Sequence, residues 1–265
     1  MSRHRTRGST LLSFLAPLCL GILILLGWCL ATAPGGVPHY FLPTPGAVWD
    51  ELYDSLVVYA DMWPYIGTTL TEALAGCLSG LVVAVPLAAL IYRSRVASAA
   101  LLPFLGPTQA IPAIALAPLL AVWVGYGLNA IVVLCSIMVF FPILVSTVVG
   151  LRHIDSDILD AAQLDGAGSV SMLVYIEFPL ALHTMLAGVR NGFTLSVTGA
   201  VVGEMVMGGH GLGSLLTIQR DGFNMAGMFA SVIVLACMAT VIYSLVSLAE
   251  RRWSNLAAPL PKGEA

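Results

Sequence analysis

Six nearly uninterrupted apolar runs, at residues 11–31, 66–92, 99–124, 129–150, 180–203 and 228–249, limit what this chain can fold into. A helix that crosses a bilayer needs about 20 largely apolar residues. Membrane barrels are built instead from strands of about ten residues that alternate polar and apolar. Only 9% of the residues are charged and 58% are hydrophobic, against about a quarter charged in a soluble domain. The runs therefore predict a helical membrane protein with little chain left for a soluble domain. Arg3, Arg5 and Arg7 precede the first run as in a secretory signal, but its apolar core exceeds the roughly 7–15 residues of a signal core, so a retained span is expected. Cys19, Cys29, Cys77, Cys135 and Cys237 fall inside the runs without metal-ligand spacing and are read as small packing groups.

Orientation follows from Lys and Arg, which concentrate on the cytoplasmic side. With the N-terminus inside, cytoplasmic segments collect Arg3, Arg5, Arg7, Arg93, Arg95, Arg152, Arg190, Arg251, Arg252 and Lys262, ten of the eleven basic residues. Arg220 alone lies outside. The first external segment, 32–65, contains Asp50, Glu51, Asp54 and Asp61 and no base.

Against this background "DAAQLDGAGSVSMLVYIEFP", residues 160–179, is out of place. Asp155, Asp157, Asp160, Asp165 and Glu177 put five of the fourteen acidic residues between Arg152 and Arg190. Ser156 is the expected cap of a short helix with Asp157 and Asp160 near its positive end. Gly166 and Gly168 are expected to stop it, Ser169 to cap a second helix through Phe178, and Pro179 to begin the fifth span. On the first short helix Ile158, Ala161, Ala162 and Asp165 share a face. Helices that lie on membranes usually carry Lys and Arg on their polar face, whereas this insert is acidic. A protein partner suits it better than a lipid surface.

The insert resembles the "EAA" loop of permease subunits of binding-protein-dependent ABC importers, which reads Glu-Ala-Ala, three residues, Gly, nine residues, Ile, one residue, Leu-Pro. Here Asp160-Ala161-Ala162, Gly166, Ile176 and Phe178-Pro179 occupy those positions, with Asp for Glu and Phe for Leu. Relatives often have a basic second helix, and "SVSMLVYIE" is not basic. Further signatures, "LPTPGAVWDEL" (42–52), "QAIPAIALAPLLAVWVGYG" (109–127), "FFPILVSTVVGLRHID" (140–155) and "GAVVGEMVMGGHGLGSLL" (199–216), look like the nitrate, sulfonate, taurine and bicarbonate branch.

The resemblance implies an all-α integral membrane protein with six transmembrane helices in the type I ABC importer (MetI-like) permease fold, in the bacterial inner membrane. It implies a pair of permease copies surrounded by lipid, separate ATPase subunits below and an extracytoplasmic substrate-binding protein outside, which would find 32–65 and 208–224 available. Residues 1–10 and 250–265 would be cytoplasmic tails, 11–249 the permease domain, and 152–179 the loop that couples to the ATPase through Asp160, Ala161, Ala162, Gly166, Ile176 and Pro179. Solutes of this branch are small anions such as sulfonates, taurine and nitrate, or a pyrimidine precursor of thiamine.

Enzymatic readings find no support in the residues. A P-loop requires a lysine after its glycines, and the only lysine is Lys262 in the tail. ATP would therefore belong to a partner, and no cofactor, metal or nucleic acid is expected. His4, His39, His153, His183 and His210 are scattered and form no zinc or protease motif. The rival reading is a secondary transporter driven by an ion gradient. Such folds commonly show internal repeats and midplane ion sites; no repeated half is visible, and the acids Glu72 and Glu204 fall toward the outer ends of their runs.

The fifth run has two faces. Gly188, Gly192, Ser196, Gly199 and Gly203 form a small-residue stripe suited to close helix contact, within one subunit or between two. Asn191, Thr194 and Thr198 form a polar stripe that could line a pore, together with Glu72, or bond back to its own helix. Arg190, inside the run, needs water or a partner. Pro103, Pro107, Pro112 and Pro118 each interrupt or kink the third run.

Overall fold

The computed structural model describes residues 8–109 and 112–257, without the side chains of 8–14, 107–109, 113, 251 and 253–257. The orientation signals Arg3, Arg5, Arg7 and Lys262 and the Arg251 side chain lie outside the described residues. Every regular element among those described is helical: α1 (Gly8–Ala31), α2 (Pro45–Tyr53), α3 (Trp63–Arg93), α4 (Arg95–Gln109), α5 (Ala113–Trp123), α6 (Leu128–Arg152), α7 (Ser156–Leu164), α8 (Ser169–Met172), α9 (Phe178–Met207), α10 (Leu212–Asp221) and α11 (Met225–Ala257). Wider π turns follow α2 at Asp54–Val58 and α8 at Leu173–Glu177.

Among the described residues, four helical stretches are long and apolar enough to cross a membrane: Trp63–Arg93, Leu128–Arg152, Ser169–Met207 and Met225–Glu250. Among the residues whose side chains are described, Leu15–Ala31, the later part of α1, Arg95–Gly106 and Ile114–Trp123 are shorter apolar helical stretches. The third run is thus not one continuous span. Pro112 supplies no N–H and disfavours helical geometry in the residue before it, and α5 restarts with Pro112 as its N-cap. Pro86, Pro118 and Pro142, by contrast, sit within α3, α5 and α6.

The chain forms two compact units. The first comprises the described part of Met1–Met62 with Leu216–Ile233. Thr44 caps α2 by accepting the Ala47 N–H at 3.2 Å, with Pro45 in the first turn, which accounts locally for the "LPTPGAVWDEL" signature. Trp28 donates to the Pro43 carbonyl at 2.9 Å and its ring lies 5.7 Å from that of Phe229. Asn224 donates to Glu51 at 3.0 Å, and Ser231 to Gln219 at 2.8 Å.

The second unit, Trp63–Leu215 with Val234–Ala265, is built around α3, α6 and α9. Cys77, Ala84, Ala88, Ile91, Val139, Ile143, Leu144 and Val148 form its main core. The small stripe of α9 packs inside this subunit: a Cβ on Gly192 would meet Val139 and Ile143, one on Gly199 would meet Met138 and Cys135, and Ser196 donates to the Ala73 carbonyl at 2.7 Å. Small residues are required because these backbones approach so closely. Of the cysteines, Cys77 and Cys135 are the packed ones; Cys19, Cys29 and Cys237 are exposed on their helices.

Candidate functional site

The insert begins with α7, and its cap is Asp155 rather than Ser156. Its carboxylate accepts the Asp157 N–H at 3.0 Å, leaving Ser156 as the first helical residue. At the other end Gly166 has φ +85°, the Ala167 N–H reaches the Ala162 carbonyl at 3.0 Å, and the Gly166 N–H reaches that of Gln163 at 3.0 Å. This paired closure needs a residue tolerant of positive φ. The glycine expected as a turn is one, and Gly168 rather than Ser169 is the N-cap of α8.

None of the α7 side chains is buried. Asp160 and Ala161 are exposed and Ala162 is half-buried, while the apolar Ile158 and Leu164 are 45% and 89% exposed. Alanines and two unpacked apolar side chains thus stand at the surface of this short helix.

The second half of the insert differs from expectation. It is not a separate helix: α8 passes through the π turn straight into α9, so that Ser169–Met207 is one helical stretch. The Phe178 N–H bonds to Leu173 five residues back. Pro179 lacks an N–H for the Tyr175 carbonyl and its ring presses on that turn, a known cause of local widening. Ile176 is half-buried inside this turn and Pro179 is exposed just beyond it.

Glu177, on the same turn, is 2% exposed. Its Oε2 lies 2.9 Å from Arg93 Nη2, and Tyr92 donates its hydroxyl to Oε1 at 3.2 Å. Sequence reasoning gave neither Arg93 nor Glu177 a role. A lone acid in an otherwise apolar nine-residue stretch was the available signal, but its partner is 84 residues away. Arg190 is likewise paired with a distant residue: its Nη1 is 2.9 Å from Glu250 Oε2, while its Nε is buried without a hydrogen-bond partner.

Asn191, Thr194 and Thr198 are exposed on the face of α9 opposite the packed glycines. Thr194 and Thr198 also donate back to the Arg190 and Thr194 carbonyls, at 3.3 and 3.2 Å. Glu72 lies apart from this stripe. It is 1% exposed and lines a cavity of about 520 Å³ with Pro64, Thr68, Thr71, Leu128 and His210. Its carboxyl neighbours that of Glu204, and its Oε2 is buried without a hydrogen-bond partner.

Glu204 is an anchor for the backbone of the glycine-rich turn. It accepts Thr69 Oγ1 at 2.7 Å and the Gly213 N–H, while Thr69 in turn accepts the Leu212 N–H at 2.8 Å. A Cβ on Gly211 would collide with Glu204 and Thr69, so only glycine admits this approach. Of the surface expected at 208–224, Gly208, Gly209, His210, Ile218, Arg220, Asp221, Gly222, Phe223 and Asn224 are exposed, and Gly211, Leu212, Gly213, Ser214, Leu216 and Gln219 are buried.

Helices long and apolar enough to span a bilayer, with a polar surface insert and an internal small-residue seam, define a helical membrane protein. Residues 78–255 match the family described as the binding-protein-dependent transport system inner membrane component, and the chain belongs to it. It is 37% identical over 239 residues to the riboflavin transport system permease protein RibX of Chloroflexus aurantiacus, covering 88% of this chain and 87% of that one. It is 27% identical over 251 residues to the formylaminopyrimidine transport permease protein ThiX of Halalkalibacterium halodurans, covering 94% and 96%. Among solved structures, the inward-facing MetNI methionine ABC transporter aligns with a TM-score of 0.65 at 20% identity, over 72% of this chain and 95% of that chain. The chain is therefore an ABC importer permease subunit of the inner membrane with the MetI-type fold, and the secondary-transporter alternative is set aside.

Proposed function

We propose that two copies of this chain form the translocation pathway, that each couples to a separate ATPase subunit through the insert 152–179, and that an extracytoplasmic binding protein delivers the solute. The observation that carries the coupling is α7: an acidic helix with no buried residue, closed by the Gly166 turn and projecting apolar side chains into solvent. Asp160 offers a carboxylate to a cationic group on the ATPase, while Ala161 and Ala162 admit a close surface. ATP, bound by the partner, draws the two ATPases and with them the two inserts together, which turns the cavity outward. Tails at 1–10 and 250–265 flank the permease domain 11–249, the second of them starting within α11, where Glu250 pairs with Arg190. Lipid or the second copy covers exposed apolar positions such as Leu78, Val82, Val241 and Leu245.

Asn191, Thr194 and Thr198 form the polar track for the solute, and Glu72 lines the outer cavity. Arg93 and Arg190 within the bundle are each committed to a glutamate, and the outer end carries the acids Glu72 and Glu204. Neither of these two guanidiniums offers an anion such as a sulfonate an unpaired charge. An uncharged nitrogen heterocycle fits better, as the relatives named for riboflavin and formylaminopyrimidine also suggest. Identifying the ligand carried by the cognate binding protein tests this, and a sulfonate would refute it.

For coupling, Asp160→Lys is the direct test. Reversing a charge at a partly desolvated contact costs several kcal/mol, so binding-protein-stimulated ATP hydrolysis in vesicles should collapse while the subunit still inserts. Wild-type stimulation would make the insert a passive loop.

A further inference from the structure

The helical rod Ser169–Met207 carries any displacement of the insert into the bundle, but it has a weak joint. In the π turn Leu173–Glu177 the regular hydrogen-bond ladder is interrupted, and the ring of Pro179 prevents its repair. A push on α8 could be absorbed there by bending instead of reaching α9. Helices bend at such positions.

Arg93, at the last turn of α3, spans this joint. One nitrogen, Nη2, donates to the Ser169 carbonyl at 2.8 Å, where α8 begins, and lies 2.9 Å from Glu177 Oε2, where the π turn ends. Tyr92, its neighbour, holds the other Glu177 oxygen. Phe178 and Tyr92 also pack on the cluster of Leu151, Ala181 and Met185, so the joint is seated against both α6 and α9. Burying a carboxylate beside a guanidinium seldom stabilises a protein more than an apolar pair of the same size would. What the ionic version adds is direction: both carboxylate oxygens are held, and the guanidinium is shared between the two sides of the turn.

We infer that Arg93 is a positioning residue that braces the π joint through Ser169 and Glu177, so that insert, α3 and α9 move as one body when the ATPases close. The inference rests on the reading of the insert as the ATPase-docking element and assigns the part that transmits its movement. It predicts that the brace can be removed without harming the bundle, and that coupling is what disappears.

The experiment uses the complete transporter in vesicles, with ATPase and binding protein, and measures basal and binding-protein-stimulated ATP hydrolysis together with thermal stability. The paired variant Arg93→Met with Glu177→Leu removes both charges and leaves none buried alone. It should assemble with unchanged melting temperature and basal hydrolysis, but lose stimulation by about tenfold, the size of a coupling free energy between two sites. The exchange Arg93→Glu with Glu177→Arg restores opposite charges across the joint and should recover stimulation to within about threefold. Wild-type stimulation in the apolar pair overturns the inference, as does an assembled exchange variant that recovers nothing. Asp160→Lys measured alongside separates the two readings. If it alone keeps stimulation, the docking role of the insert fails. If it loses stimulation while the apolar pair keeps it, docking stands and the brace falls.

Discussion

Arg190 lies 2.9 Å from Glu250 and 5.1 Å from the centre of the Tyr243 ring, which ties the middle of α9 to the end of α11. His183 adds a ring nitrogen 3.6 Å from the same carboxylate. The pair answers the need of a guanidinium inside an apolar run, since charges at such positions turn toward partners.

Removing one partner should therefore cost more than removing both. Arg190→Met leaves Glu250 nearly buried with only the His183 ring beside it; a fully buried case costs about 3–5 kcal/mol, and the Arg190 side chain is 24% exposed, so about 2–3 kcal/mol is expected. Arg190→Met combined with Glu250→Leu should lose less. Thermal melting of the complex in detergent measures both, and equal losses would show that the pair is not coupled.

The two faces of α9 should separate stability from transport. A Cβ on Gly188 would stand 2.5 Å from that of Ser146 and 3.0 Å from the Pro142 carbonyl, so Gly188→Val should cost about 1–3 kcal/mol through overpacking. Leucine at Asn191, Thr194 or Thr198 should leave the melting temperature and ATPase assembly unchanged while lowering uptake of the binding protein's ligand. Normal uptake in all three would place that face against lipid or another helix.

Thr69 connects α3 to the turn at the end of α9. Thr69→Val removes its bond to Glu204 and orphans the buried Leu212 N–H, each worth about 1–3 kcal/mol when left unmade. Hydrogen exchange should accelerate at Leu212 and Gly213 and stay unchanged in α6. Uniform acceleration would mean that Thr69 supports the whole bundle.

Much of this was legible because it is local or periodic. Apolar runs betray spans, the three- and four-residue spacing separated the glycine seam from the polar stripe, and Gly166 marks its own turn. What escaped depends on distance along the chain: no local pattern links Glu177 to Arg93 or Arg190 to Glu250. The third run misled because hydropathy is blind to the missing N–H of Pro112, and the second insert helix because a proline that usually starts a helix here follows a π turn within one. Glu204 read only as an acid toward the outer end of its run, since one of its partners is the Gly213 backbone N–H, which no side-chain pattern reveals, and the other, Thr69, lies 135 residues away.

Topology is open to a direct measurement. The distribution of bases predicts that His153 is cytoplasmic and Arg220 external. Both residues are exposed. Cysteines introduced at these positions, with the five native cysteines replaced by alanine, should react with an impermeant maleimide from opposite sides of the membrane. Labelling of both from one side would end the six-span arrangement.

The Gly166 turn offers a graded test of the insert, because its constraint is conformational and not steric. With φ at +85° and nothing within 4 Å of a Cβ built there, a substitution meets no neighbour and is penalised only by its own backbone preference. Asparagine enters this region most readily of the side-chain-bearing residues, alanine pays about 1–2 kcal/mol, and a β-branched valine pays more. Stimulated ATP hydrolysis should therefore fall in the order Gly, Asn, Ala, Val, while the melting temperature of the bundle stays constant, since α7 contributes no buried side chain to it. Measuring the four variants side by side in reconstituted vesicles checks both halves. An unordered series with intact melting would show that the angle between α7 and α8 does not matter for coupling, and a parallel fall in melting temperature would show that the turn supports the fold instead of the ATPase contact.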